Sequence, residues 1–268
     1  MRYLLITLLF STFCFAQTPL AKSEKPFTIG ESVSFFSEAL KEDRTLNVYL
    51  PGSYHPDSSN RYPVIYVLDG SADEDFIHIA GLVQFGSFPW INMLPEAIVV
   101  GIANVDRRRD FTYPTQNEQD KMDFPTTGSS VAFIRFLEKE MQPFVEDRYR
   151  CDSSKTIIGQ SLGGLLAAEV LYKKPQLFNK YIIVSPSLWW DDESLLKKEA
   201  PVLDTATTVY IAVGKEGKVM ERTAKALSAK IDERNTRHPH LFFQYWGEQG
   251  HGNILHLAVY QAFEKMFK

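Results

Sequence analysis

Hydrophobic and polar positions along the chain follow two rhythms. Residues 31–40 and 44–50 alternate apolar and polar side chains, the period-two pattern of strands with one solvated face. Glu42-Asp43 lies between them and predicts the turn of an antiparallel hairpin at a sheet edge. Farther on come short continuous apolar runs at residues 63–68, 97–103, 155–159, 181–184, 209–213 and 241–246. Such runs mark strands buried on both faces. Residues 131–145 place Phe133, Phe136, Leu137 and Met141 at helical spacing, and residues 162–172, 219–231 and 253–267 do the same. Strands that alternate with helices predict a mostly parallel sheet covered on both faces. Residues 106–128 break the pattern, being polar and aromatic without periodicity. A loop of that length inside a compact domain is expected to serve function.

Composition narrows the classes. The 268 residues suffice for one large core, and no internal repeat or second-domain boundary interrupts residues 27–268. A net charge of −4 speaks against nucleic acid or an acidic membrane surface as the main partner.

At the N-terminus, Arg2 precedes the apolar run 3–10 and Cys14-Phe15-Ala16 closes the segment. Residues 1–16 therefore read as a cleaved secretory signal peptide and 17–26 as a linker, giving an exported protein, periplasmic or secreted. The apolar run is too short for stable membrane insertion. Lipid attachment at Cys14 is a poor fit because bulky Phe13 precedes it. Cleavage after Ala16 would remove Arg2 and Cys14, shifting the charge to −5 and leaving Cys151 without an intrachain disulfide partner.

The sharpest chemical signal is Gly159-Gln-Ser161-Leu-Gly163. Gly-x-Ser-x-Gly alone arises by chance in roughly one chain in ten of this length. Here an apolar strand runs into it and a Leu- and Ala-rich helix leaves it, the setting of a nucleophile elbow. The expected fold is then the α/β-hydrolase fold, with Ser161 as nucleophile. In that fold an acid and a histidine follow the serine in chain order. His251 sits between glycines after the last apolar run and is the expected base. The other five histidines, His55, His78, His238, His240 and His256, lie upstream of Ser161, near Pro239 or along the last helix. Glu216, just past residues 209–213, is the expected acid, with Glu221, Glu248 and Asp192 as rivals. For the oxyanion, the N–H of Leu162 is one donor, and the Leu68-Asp-Gly-Ser71 turn offers Ser71, or alternatively Gly70. Asp69 reads as a loop-ordering residue. No His-Glu-x-x-His or phosphate-binding Gly loop is found, so neither metal nor cofactor is expected.

Gly-Gln-Ser-Leu-Gly-Gly, Val-Leu-Asp-Gly, the 101–110 run Gly-Ile-Ala-Asn-Val-Asp-Arg-Arg-Arg-Asp and Ser185-Pro-Ser-Leu-Trp-Trp-Asp191 together resemble the esterase-D-like esterases. Within them, the likeness is to the bacterial siderophore-esterase branch, the enterobactin and bacillibactin esterase relatives, over residues 28–268. The resemblance implies a metal-free serine hydrolase that cleaves a small-molecule ester through an acyl-enzyme. It implies that Trp189 and Trp190 lie at the mouth of the site. It also matches Arg107 and Arg109 to a basic stretch that meets an anionic or catecholate substrate. The plainer readings are an Arg109–Asp110 ion pair that fixes the loop and a Trp pair that packs. Members of this fold also cleave feruloyl, simple acyl and glutathione esters or transfer acyl groups to sugars. An acyltransferase and a noncatalytic binding protein are therefore the alternatives.

Overall fold

Alternation at one margin and continuous apolar runs inside give one sheet with an antiparallel edge. The computed structural model describes residues 21, 23–55, 57–236 and 240–267. The expected signal segment 1–16 lies outside the described residues, as do 17–20 and 22 of the linker; residues 21 and 23–30 carry no regular secondary structure. In chain order, β1 (Glu31–Ser37), β2 (Glu42–Tyr49) and β3 (Tyr62–Val67) lead to α1 (Phe76–Gly86) and β4 (Ile98–Ile102). Short α2 (Arg107–Phe111) and α3 (Glu118–Asp123) follow, then α4 (Ser130–Phe136) and α5 (Gln142–Arg148). The remainder is β5 (Cys151–Gln160), α6 (Leu162–Lys173), β6 (Lys180–Val184), the short α7 (Trp190–Glu193), β7 (Thr208–Gly214), α8 (Lys218–Asn235), β8 (Leu241–Trp246) and α9 (Ile254–Met266).

The eight strands order as β1-β2-β4-β3-β5-β6-β7-β8. The β1–β2 and β2–β4 pairs are antiparallel and all others parallel. This is the α/β-hydrolase arrangement. The continuous apolar runs are explained by two cores, one on each face. Val64 and Tyr66 of β3 enter the core under α4–α6 and α8, whereas Ile65 and Val67 enter the one under α1 and α9. β7 divides likewise, Val209, Ile211 and Val213 against Tyr210 and Ala212. Each fully buried Val, Leu or Ile contributes about 1.5–3 kcal/mol relative to exposure.

Three local expectations are corrected. Glu42 and Asp43 pair with Ser37 and Phe36 inside the hairpin; the turn lies before them, with Lys41 at φ 57°. Arg44 and Arg109 draw the Glu42 carboxylate into the sheet margin, which alternation alone does not reveal. Helix α1 carries no clear helical periodicity, because its sequence is apolar almost all round and contains Gly81 and Gly86. Residues 130–148 run from α4 to α5 through a π-helical turn, Leu137–Met141. Pro143 lies two residues past it, and its missing N–H and bulky ring disfavour the ordinary i−4 register there.

The aperiodic stretch 106–128 is folded rather than loose. Asp106 caps α2 through the Arg109 N–H and Asn117 caps α3 through two N–H groups, while Phe111 and Asp110 are fully buried. Cys151 is free and buried, and burial pushes its thiol up to about 12. Among the described residues no helix is long and apolar enough to cross a membrane.

Candidate active site

β5 ends at Gln160 and α6 starts at Leu162, leaving Ser161 alone at φ 59°, ψ −120°. A non-glycine residue there stores on the order of 1–3 kcal/mol of strain, held by the packed strand and helix. The glycines make the turn possible: a Cβ on Gly159 would stand 2.3 Å from the Gly163 carbonyl oxygen. The turn lifts the serine out at the C-terminal end of the parallel strands, where ligands bind in open α/β sheets. Ser161 Oγ lies 3.4 Å from Ser187 Oγ and makes no hydrogen bond with His251 in this state. Such bonds are often long before substrate arrives.

β7 and β8 deliver the partners. Gly214 ends β7, and Glu216 follows with its side chain only 3% exposed. Its Oε2 lies 2.5 Å from His251 Nδ1. Its Oε1 accepts from Ser185 Oγ at 2.5 Å and from the Gly214 N–H at 2.9 Å. Burial pushes the Glu216 pKa up, but the bonds from His251, Ser185 and Gly214 outweigh it and hold it below the ordinary value. An ionised carboxylate only accepts, so Nδ1 donates this bond, and in the neutral imidazole Nε2 is then the acceptor. Two of the three rival acids are occupied elsewhere: Glu221 Oε1 accepts the N–H groups of Glu216 and Gly217 at the start of α8, and Asp192 accepts from Asn117. His78 and His256 pack on each other, tilted by 42°, with ring centroids 3.5 Å apart, and His55 is exposed; His238 lies outside the described residues.

Two cavities meet at the serine. One, of about 440 Å³, is lined by Asp69, Glu74, Asp75, Arg107, Gln160, Ser161 and His251. The other, of about 430 Å³, is lined by Ser161, Ser187, Trp189, Lys215, Glu216 and His251.

The expected oxyanion donors on the β3 turn are both engaged by neighbours in this structure. The Gly70 N–H donates to the Ile102 carbonyl at 3.0 Å, and the Ser71 N–H points to Glu74 Oε2 at 3.3 Å. Gly70 is pressed so close to Gly101 and Ile102 that its amide is drawn into the sheet margin. Asp69, one residue earlier, has φ 56°, and its N–H donates to no described residue; neither does the N–H of Leu162.

The two arginines and the two tryptophans part company. Arg107 reaches the cavity beside Ser161. Arg109 does not: it binds Asp110 at 2.7 Å and Glu42 at 2.5 Å, tying α2 to β2 as an ion-pair strut. Trp189 lines the second cavity, but Trp190 is fully buried and its indole N–H donates to the Tyr113 carbonyl at 2.9 Å. Neither Arg109 nor Trp190 is therefore placed to touch a substrate. Alternate direction along a short turn decides both cases, and residue type alone could not. Gln160, Ser185 and Ser187 were not singled out from sequence, although all three lie inside the two motifs that were.

Residues 37–253 match the profile of the family described as Putative esterase. Ferri-bacillibactin esterase BesA of Bacillus subtilis is 34% identical over 185 residues, 64% of this chain and 64% of that protein. Siderophore triacetylfusarinine C esterase of Aspergillus fumigatus is 29% identical over 159 residues, 53% of this chain and 50% of that protein. The matches thus span less than two thirds of the length of either curated relative. Among solved structures, an IroE-like serine hydrolase from Shewanella oneidensis superposes with a TM-score of 0.76 at 28% identity, covering 89% of this chain and 80% of the other.

Proposed function

The chain belongs to the Putative esterase family, and from that premise we propose that it is a serine esterase acting on small-molecule esters of the siderophore type. The observation that carries the reading is the joint placement of Ser161, on a strained elbow, and His251, bonded to a buried Glu216, around shared cavities. The siderophore class is supported by two relatives whose names carry such substrates.

In this reading His251 Nε2 takes the Ser161 proton as Oγ attacks the ester carbonyl. The carbonyl oxygen becomes an oxyanion facing the N–H groups of Leu162 and Asp69. The positive end of α6 favours the same charge. As the intermediate collapses, the C–O bond to the alcohol breaks, and His251 returns its proton to the leaving oxygen. Water then attacks the acyl-enzyme, giving a proton to His251; the bond from Ser161 Oγ to the acyl carbon breaks, His251 returns the proton to Oγ, and the free acid departs. Glu216 stays ionised throughout and holds the imidazole in the required tautomer. The family match and the relatives favour neither an acyltransferase nor a noncatalytic binder.

The test is a panel of esters, among them p-nitrophenyl acetate, a feruloyl ester and a catechol trilactone, with Ser161→Ala beside the wild type. The wild type is expected to turn over at least one, with Ser161 labelled by a fluorophosphonate. The variant should be inert yet folded. Retained activity in Ser161→Ala would remove the assignment.

A further inference from the structure

We propose that Arg107 is a positioning residue that holds the two oxyanion donors in register with each other, an inference that rests on the esterase reading above. The donors sit on different segments: Asp69 on the turn after β3, Leu162 on the elbow after β5. One guanidinium touches both segments. Arg107 Nε donates to Asp69 Oδ1 at 2.5 Å and Nη2 to Asp69 Oδ2 at 2.9 Å, a two-pronged pairing that fixes angle as well as distance. The same Nη2 donates to the carbonyl of Gln160 at 3.3 Å, one residue before Ser161 and two before Leu162.

The clamp acts on a backbone that needs holding. Asp69 stands at φ 56°, a region that Asp enters more readily than most residues but not without restraint. Asn104 Nδ2 adds a third bond to Oδ1 at 2.8 Å. With the carboxylate anchored on both oxygens, the orientation of the Asp69 N–H is set by its own side chain. Arg107 lies over the Phe111 ring at 5.6 Å, which fixes the guanidinium plane from below. Burial works against its charge, but Asp69, Glu74 and Asp75 outweigh that and hold its pKa above the ordinary value.

An anion receptor on the substrate's behalf is the poorer role for this group. The Nε–Nη2 edge is already spent on Asp69, and Glu74 and Asp75 line the same wall with negative charge. Lysine in its place would keep the charge but could not reproduce the planar two-pronged pairing with the Asp69 carboxylate that fixes its angle.

The experiment compares wild type, Arg107→Lys, Arg107→Ala and Asp69→Asn on neutral p-nitrophenyl acetate and on an anionic p-nitrophenyl ester, with active sites counted by fluorophosphonate. Losing alignment of one donor is expected to lower kcat roughly 30- to 300-fold for both esters, with KM little changed. Added methylguanidinium should restore part of the rate to Arg107→Ala, and Asp69→Asn should cost no more in an Arg107→Lys background than that change alone. Where Arg107→Ala fails to fold, Arg107→Lys carries the test. Unchanged kcat in the arginine variants overturns the inference, as does a loss confined to KM of the anionic ester. A wild type that neither hydrolyses an ester nor takes the label overturns the esterase reading itself, and the clamp falls with it.

Discussion

The side chain of Gln160 donates to the main-chain carbonyl of His251 at 2.5 Å, so the residue before the elbow serine holds the loop that carries the imidazole. β5 and the β8–α9 loop are far apart in sequence, and this bond sets their spacing directly. Gln160→Ala should therefore widen the distribution of Ser161–His251 separations without touching either group. The expected result is a fall in kcat of about tenfold with KM near the wild-type value, since misplacement by an ångström costs up to 10²-fold. Steady-state kinetics on p-nitrophenyl acetate, together with the rate of fluorophosphonate labelling, checks it. Equal rates in variant and wild type would show that the loop is held by other means.

Glu216 should reveal itself in both kinetics and stability. Glu216→Gln leaves the volume unchanged but presents an amide to Nδ1, which no longer enforces the Nδ1–H tautomer. A loss in kcat of about 10²- to 10⁴-fold is expected. The stability consequence follows from a depressed pKa. Such a group contributes stability that is complete above the ordinary carboxylate pKa and is lost as pH falls through the lower folded value. The advantage of wild type over Glu216→Gln in urea unfolding should thus be widest near neutral pH and shrink below about pH 4. A gap independent of pH would place its origin in packing.

The parts of the fold and site that were legible in the sequence are those set by local pattern. Each apolar run became a strand because its residues feed two cores at once, Val64 and Ile65 on opposite sides of β3 being one instance. The Ser161 turn was legible because Gly159 leaves room that no other residue would, a Cβ there meeting the Gly163 carbonyl. The chain order that pointed to Glu216 and His251 is a constraint of topology. Side-chain direction was not legible. Arg107 and Arg109 lie two residues apart on α2, yet one enters the site and the other braces β2. Asp69 orders its loop through its bonds to Arg107 and Asn104. Its N–H is a feature of backbone torsion, which residue type does not announce.

Arg44 and Asp110 form a fully buried pair at 2.7 Å, with Arg109 closing on the other carboxylate oxygen. The Arg44 guanidinium lies 5.3 Å from the Phe133 ring centroid and 5.6 Å from that of Phe136, away from solvent. Asp110→Ala removes the fully buried partner and leaves Arg44 the half-buried Glu42 and the Ala103 carbonyl, so the expected cost is about 3 kcal/mol, the low end for breaking a buried pair. The stability loss should come without a change in KM for an anionic ester, because the cluster lies outside the cavities at Ser161. Chemical denaturation and kinetics on the same preparation check both halves. A raised KM with intact stability would return Arg109 to the substrate.

Asp75 offers the opposite sign. Its carboxyl is raised to about 6 by burial first, then by the charges of Asp69 and Glu74, with Arg107 pulling it down in part. It lines the cavity beside Ser161 and stands just before α1, where its side chain caps no N–H. The folded pKa is above the unfolded one, so between about pH 4 and pH 6 the folded chain binds the extra proton. Stability from this group is complete below the unfolded pKa and is lost as pH rises through the folded value. Above pH 6 the folded protein carries an ill-solvated anion that destabilises it. Asp75→Asn removes the titration and keeps the shape. The variant should therefore melt higher than wild type at pH 8 and at nearly the same temperature at pH 4. Thermal unfolding at the two pH values decides the point. A variant less stable at pH 8 would mean that the ionised Asp75 is held by a favourable partner, Arg107 foremost.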